Sequence, residues 1–311
     1  MRTTWLNICR IGIRWPSFRH ESNSNYLWKR SRFPRIIPRM AVEWGYDQHN
    51  GPHLWCKYYP SANGTQQSPI NIDTTSIMTD EQLLRYKLTW NYESDTCTAL
   101  HNTGNGWQVD VDAKGYLEGG PLQHNYRLQQ FHCHWGDNSS YGSEHTVDGK
   151  TYSGELHLVH WNADLFENFK EAARCNGGLA VLGVFLQLGE ENSELNKLTK
   201  LMPNIAYKAD KTPIEEKIDL TAFLPKNRTF WTYEGSLTTP PCYESVTWIV
   251  FREPIQISEQ QLEEFRKLHR KPQQTNSENA NKESPECIRK NYRPTQILHN
   301  RLVREAFYTN Q

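Results

Sequence analysis

Two stretches constrain this chain more than any others: YRLQQFHCHW at 126–135 and YSGELHLVHW at 152–161. Successive side chains on a β-strand point to opposite faces. On the first stretch Gln130, His132 and His134 then share one face, and Phe131, Cys133 and Trp135 the other. On the second, Glu155, His157 and Val159 share a face, and Leu156, Leu158 and His160 the other. Each strand therefore turns polar groups one way and apolar bulk the opposite way.

If the two strands are neighbours, His132, His134 and His157 converge. The chain between His134 and His157 is long enough for an antiparallel return. Three imidazoles with a fourth position open is the pattern of a catalytic zinc site, since structural sites are usually closed by four protein ligands. Neutral imidazole nitrogens suit Zn²⁺ better than Mg²⁺ or Ca²⁺. Gln130 and Glu155 offer the acceptors that ligand histidines need for their second N–H. The plain alternative is two strands with half-buried polar faces, and spacing alone leaves both readings open. His160, on the opposite face, reads as a buried structural residue.

The rest of the chain supports a strand-dominated fold. Strands are expected at 86–92, 107–112, 179–188 and 245–252, besides the two above. Helices are expected at 164–174, at 193–202 and at 258–269, the last opened by a capping-box pair, Ser258 and Gln261. Residues 44–80 read as loop, punctuated by NGP, NGT and QSP, and the polar 271–286 as an exposed loop. No repeat and no linker between two cores is visible. The expected class is α+β: one domain, 40–311, around a large, mostly antiparallel twisted central β-sheet with short peripheral helices. With 11 Trp, 15 Tyr and 11 Phe the chain has ample material for its core.

Zero net charge conceals an asymmetry. Residues 1–39 hold eight Arg, one Lys and a single acid, Glu21, a net of +8, so the remainder carries −8. An acidic body argues against nucleic acid as partner. The basic segment 1–39 resembles a mitochondrial transit peptide, and an untargeted extension ahead of Met40 is the competing reading. No apolar run of 18 residues exists, so no membrane span is expected. The seven cysteines are scattered singly, which points to a reducing compartment.

HCHWG (132–136), GSEHTVDG (142–149), GELHLVHWN (154–162) and EGSLTTPPC (234–242) together resemble the alpha-class carbonic anhydrases, and most of all their intracellular animal members. The likeness runs from WGYDQHNGP at 44 through QSPINI at 67 to NYRP at 291. It implies that His132, His134 and His157 bind zinc, that Gln130 and Glu155 support them, and that the Asn291 carbonyl holds the third ligand. It implies reversible hydration of carbon dioxide to bicarbonate and a proton by attack of zinc-bound hydroxide. Thr238 is implied as the hydroxyl that accepts from that hydroxide and donates to Glu144. The Thr238 N–H and the Thr239 side chain are implied as bicarbonate contacts, and Val159, Val181, Leu237, Val246 and Trp248 as the apolar wall that receives CO2. Tyr46 is implied in the water network, and His145, Tyr233 and Ser68 as buried support near Glu155 and Glu144.

The chain departs from the family at two places. Fast members carry a proton-shuttling histidine after an asparagine-glycine turn, and the matching position here is Asn105 in HNTGNGWQVD (101–110). An amide does not relay protons near neutral pH, so proton transfer is expected to be slower unless His101 serves at the rim. Secreted relatives often pair a cysteine beside TTPP with one early in the chain. Cys242 is present, but the partner position falls on Ala62, so a free thiol is expected.

The expected protein is thus a monomeric zinc lyase, whose small-molecule partners are CO2, water and bicarbonate. Its expected place is the cytoplasm, or the mitochondrial matrix if residues 1–39 are a transit peptide. The alternative is a carbonic-anhydrase-like binding module without activity; such modules typically lack one of the three histidines, and all are present here.

Overall fold

In the computed structural model, which describes residues 43–112, 115–273 and 287–308, the two alternating stretches lie side by side at the centre of a 13-stranded mixed sheet. The strands that form its continuous path are β1 (Met78–Thr79), β2 (Cys97–Asn102), β3 (Trp107–Val111), β4 (Tyr126–Trp135) and β5 (Gly154–Asn162). They continue with β6 (Leu179–Leu188), β7 (Lys211–Pro213), β8 (Phe230–Gly235), β9 (Val246–Phe251) and β10 (Arg304–Ala306). Their order across the sheet is β7-β2-β3-β4-β5-β6-β9-β8-β10-β1. Pairing is antiparallel along this path except at β6–β9 and at the β10–β1 edge. The expected fold class is what the chain adopts.

The pleat sorts the side chains as their alternation requires. Phe131, Cys133, Trp135, Leu156 and Leu158 are all buried in the larger of the apolar clusters. Val159, Val181, Val246 and Trp248 belong to a second cluster on the other face. A register shift between Leu128 and Gln130 marks a bulge in the β4–β5 pair. Beyond it the register aligns Gln130 with Val159, His132 with His157, and His134 with Glu155.

The helices are short and peripheral: α1 (Pro52–Tyr58), α2 (Gln82–Arg85), α3 (Phe169–Ala172), α4 (Ser193–Thr199) and α5 (Glu259–Arg266). Ser258 and Gln261 make the expected reciprocal capping box on α5. The helix expected at 164–174 shrinks to α3. The Asn162 side chain accepts from the N–H groups of Asp164 and Leu165, and the cap falls at Asn168 instead. Residues 44–80 are more ordered than their punctuation suggests. Pro52 opens α1, whose Trp55 is buried and donates its indole N–H to Gly45 and Asn50 carbonyls. The strand expected at 86–92 is confined to Thr89–Asn91. The expected loop 271–286 lies mostly outside the described residues, as does the whole of 1–39.

Candidate metal centre

The sheet builds the site in two adjacent rows of side chains. One runs His132 (β4), His157 (β5), Gly183 (β6); the next runs Gln130 (β4), Val159 (β5), Val181 (β6), Trp248 (β9). Directly opposed residues share a face, so the histidines and the apolar wall stand side by side. Gly183 leaves room here: a Cβ would come to 3.2 Å from Glu155 Oε1, and that side chain would have to shift slightly.

The three imidazoles converge, with ring centroids 4.7 to 5.3 Å apart and one nitrogen of each within 4.8 Å of the others. Each ring is pinned through its second nitrogen. His132 Nδ1 meets Gln130 Oε1 at 2.8 Å, His134 Nδ1 meets the Asn291 carbonyl at 2.7 Å, and His157 Nε2 meets Glu155 Oε1 at 2.8 Å. A carbonyl oxygen only accepts, so His134 donates from Nδ1 and keeps a lone pair on Nε2. The same logic leaves His132 Nε2 and His157 Nδ1 as lone-pair donors. The Asn291 carbonyl therefore holds His134, while His157 is held by Glu155, two residues away on its own strand face.

Electrostatics keeps these rings neutral. Burial, reinforced by the neighbouring imidazoles, pushes His134 down to about 3 and His132 well below the usual histidine range. Burial lowers His157 as well, against the pull of Glu155. Three neutral nitrogens are the donor set that leaves a divalent cation its full charge. The lone pair of His134 Nε2 is buried and without a hydrogen bond, and so is Glu144 Oε2, 3.3 Å away. Donor chemistry and the orphaned atoms together fit a zinc ion held by His132, His134 and His157. A second cluster, His145, Glu155 and His157, is already satisfied internally, because Glu155 Oε1 sits between the two rings.

Behind the three rings lies a buried chain of hydrogen bonds. Glu155 Oε2 accepts the backbone N–H groups of Glu144 and His145, and Oε1 meets His145 Nδ1 at 2.7 Å. His145 Nε2 meets the Tyr233 hydroxyl at 2.6 Å, and that hydroxyl meets Ser68 Oγ at 2.9 Å. Desolvation works to raise the Glu155 pKa, but His145 and the hydrogen bonds outweigh it and hold the carboxyl well below its usual range. Glu144 goes the other way: burial, helped by Glu155, raises it, and the Thr238 hydroxyl and the Arg293 N–H only partly offset this. Thr238 is buried beside Glu144, though no hydrogen bond of full geometry reaches Glu144 Oε2.

A cavity of about 160 Å³ opens onto this centre, lined in part by Tyr46, Asn105, Gln130, His132, His134 and Thr239. Val159, Val181, Val246 and Trp248 are buried in one cluster, with Leu237 packed partly buried against it; the Trp248 ring lies 4.8 Å from that of His157. Asn105 stands at the mouth, its amide donating to the Trp44 carbonyl at 3.3 Å. His101 lies further out on β2, half-buried beside Asp110. His160 faces away and is structural, as expected: it meets the Tyr92 hydroxyl at 2.8 Å and the Ala180 carbonyl at 3.3 Å. Cys242 is a free, buried thiol in one cluster with Ala62 and Tyr46.

Arg293, in the NYRP segment, is a further residue of the site that the sequence does not single out. Its N–H donates to Glu144 Oε1 at 2.8 Å, and its guanidinium ties Gln67 to the Ser68 carbonyl. The signal available was a lone Arg in a segment that also supplies a ligand-holding carbonyl.

Three neutral imidazoles converging beside an apolar row of side chains are a candidate centre for a single metal ion. The eukaryotic-type carbonic anhydrase family model matches residues 50–307. Carbonic anhydrase 7 of Homo sapiens is 45% identical over 269 residues, covering 85% of this chain and 97% of its own. The Mus musculus carbonic anhydrase 7 is 44% identical over 271 residues, with the same coverage. The chain belongs to the eukaryotic-type carbonic anhydrase family, whose activity is the hydration of carbon dioxide, and it is an enzyme. With all three histidines in place, the inactive binding module is set aside.

Proposed function

We propose that His132, His134 and His157 hold one Zn²⁺ and that the enzyme hydrates carbon dioxide reversibly at that centre. When bound, zinc on three neutral ligands is a Lewis acid that brings the pKa of a water near neutrality, as is established for carbonic anhydrases. The observation that carries this reading is the donor set: three neutral rings, each locked from behind, with their free nitrogens turned to one point.

The chain's own residues do the rest. Val159, Val181, Leu237, Val246 and Trp248 receive CO2, which carries no charge to grip and is suited to an apolar wall. In the working enzyme Glu144 would accept from the Thr238 hydroxyl, which is buried beside it. That bond commits the hydroxyl oxygen to accept from the attacking water, which aims the water's lone pair at the wall. The Thr238 N–H and the Thr239 hydroxyl orient the bicarbonate product. Tyr46 orders water in the cavity, and Gln130, Glu155 and Asn291 keep the ligand rings aligned. Asn105, at the mouth, holds water but carries no proton away.

We further propose a monomer that works in the cytoplasm. Support for the compartment comes from Cys242, buried and unpaired beside Ala62, where a secreted relative would carry a disulfide. No helix among the described residues is long and apolar enough to cross a membrane. The matrix alternative rests on residues 1–39 alone and gains no support. Metal analysis and CO2 hydration on His157→Ala test the centre: loss of bound zinc together with activity is expected, and full activity without change in metal content would sink the assignment.

A further inference from the structure

Hydration leaves a proton that must reach solvent, and Asn105 cannot carry it. A titratable pair stands further out on the same face of the sheet. His101 on β2 is opposite Gln108 on β3, which is opposite His132 on β4. Opposed residues share a face, so His101 belongs to the face that carries the ligands. Two strand spacings, roughly 10 Å, separate its backbone from that of His132. Gln108 occupies the interval and lines the cavity.

The pair is organised. Gln108 donates its side-chain N–H to Asp110 Oδ1 at 3.1 Å, and that oxygen lies 3.8 Å from His101 Nε2. Lys211, opposite His101 on β7, donates to the other carboxylate oxygen at 2.8 Å. His101 Nε2 is buried and makes no hydrogen bond, so Nδ1 is the accessible nitrogen of a side chain that is 26% exposed.

We propose that His101, positioned by Asp110, is the proton relay of this enzyme. The step transfers a proton only. It leaves the cavity through waters held by Gln108, binds one imidazole nitrogen, and is released to a buffer base in solvent. The inference rests on carbon dioxide hydration as the reaction. Burial lowers the imidazole's affinity for a proton, Asp110 raises it and Lys211 lowers it again, with a net value under the usual histidine range. Uptake is therefore slower than by a histidine of ordinary pKa, and release is easy.

The test is stopped-flow hydration by His101→Gln in dilute and in concentrated buffer. The expected result is a kcat that falls roughly threefold or more in dilute buffer, a modest share of what positioned proton transfer can supply. Added imidazole should restore it, and the loss should fall on kcat rather than on kcat/KM. Asp110→Asn should move the apparent pKa in the kcat profile downward, because the carboxylate that raises it is gone. A dilute-buffer kcat equal to the parent's, or a loss that imidazole does not restore, overturns the relay. A parent protein without turnover in concentrated buffer overturns the hydration reading, and the relay with it.

Discussion

Glu155 grips His145 twice: Oε1 meets the ring Nδ1 at 2.7 Å and Oε2 takes the backbone N–H at 2.8 Å. The same Oε1 holds His157 Nε2 at 2.8 Å. One buried carboxylate thus sets a ligand ring and a supporting ring in a single geometry. Glu155→Ala should weaken zinc binding by about 10–100-fold. It should also destabilise the fold by roughly 1–3 kcal/mol for each donor left unpaired. Chelator competition reads the first effect and urea unfolding the second; Glu155→Gln, which keeps an acceptor, should recover part of both.

The apolar wall predicts a loss of a different kind. Val181 pairs with Val159 on β5 and with Trp248 on β9, and is 2% exposed. Val181→Tyr should fill the space CO2 needs, lowering kcat/KM roughly tenfold or more, where tenfold corresponds to about 1.4 kcal/mol. Zinc content should stay that of the parent, which separates a blocked wall from a damaged centre.

Asn105→His should raise turnover in dilute buffer several-fold, within the range that a positioned proton carrier supplies. The substitution removes a 3.3 Å donation to the Trp44 carbonyl, a small loss at a partly exposed position. Stopped-flow hydration across buffer concentrations checks it: the gain should vanish in concentrated buffer, and an unchanged dilute-buffer rate would contradict the inferred deficit.

His160 predicts acid sensitivity. Burial pushes its imidazole down to about 3. A base whose folded pKa is depressed stays neutral in the fold while the unfolded chain takes up a proton below about 6.5. Stability is therefore unaffected above that pH and falls as pH drops from about 6.5 toward 3, by up to ~1.4 kcal/mol per unit. His160→Leu should flatten this slope while costing about 1–3 kcal/mol at neutral pH, since the Tyr92 hydroxyl loses its partner. Urea midpoints at pH 7.5 and 5 measure both.

Alternation made the ligand strands readable, because period 2 assigns faces before any coordinates exist. The 126–135 and 179–188 strands have the bounds that their alternation and apolar run imply. The Glu144 and Thr238 region needed the family likeness, since those residues lie between strands and carry no periodic signal. Arg293 was invisible because its contact with Glu144 uses a backbone N–H, which every residue but proline has, and its guanidinium partners lie far away in the chain. Helix α1 was hidden for a related reason: seven residues cannot announce a helix by periodicity, and its Trp55 is fixed by partners before it in the chain.

The acceptors behind the three rings belong to strands β4 and β5 and to the backbone of Asn291, a residue whose N–H donates to the Trp135 carbonyl and whose side-chain oxygen accepts the Trp135 N–H. The scaffold therefore aligns the three rings through its own hydrogen bonds. Loading and unloading an ion at such a centre would then be an exchange reaction, not a refolding one.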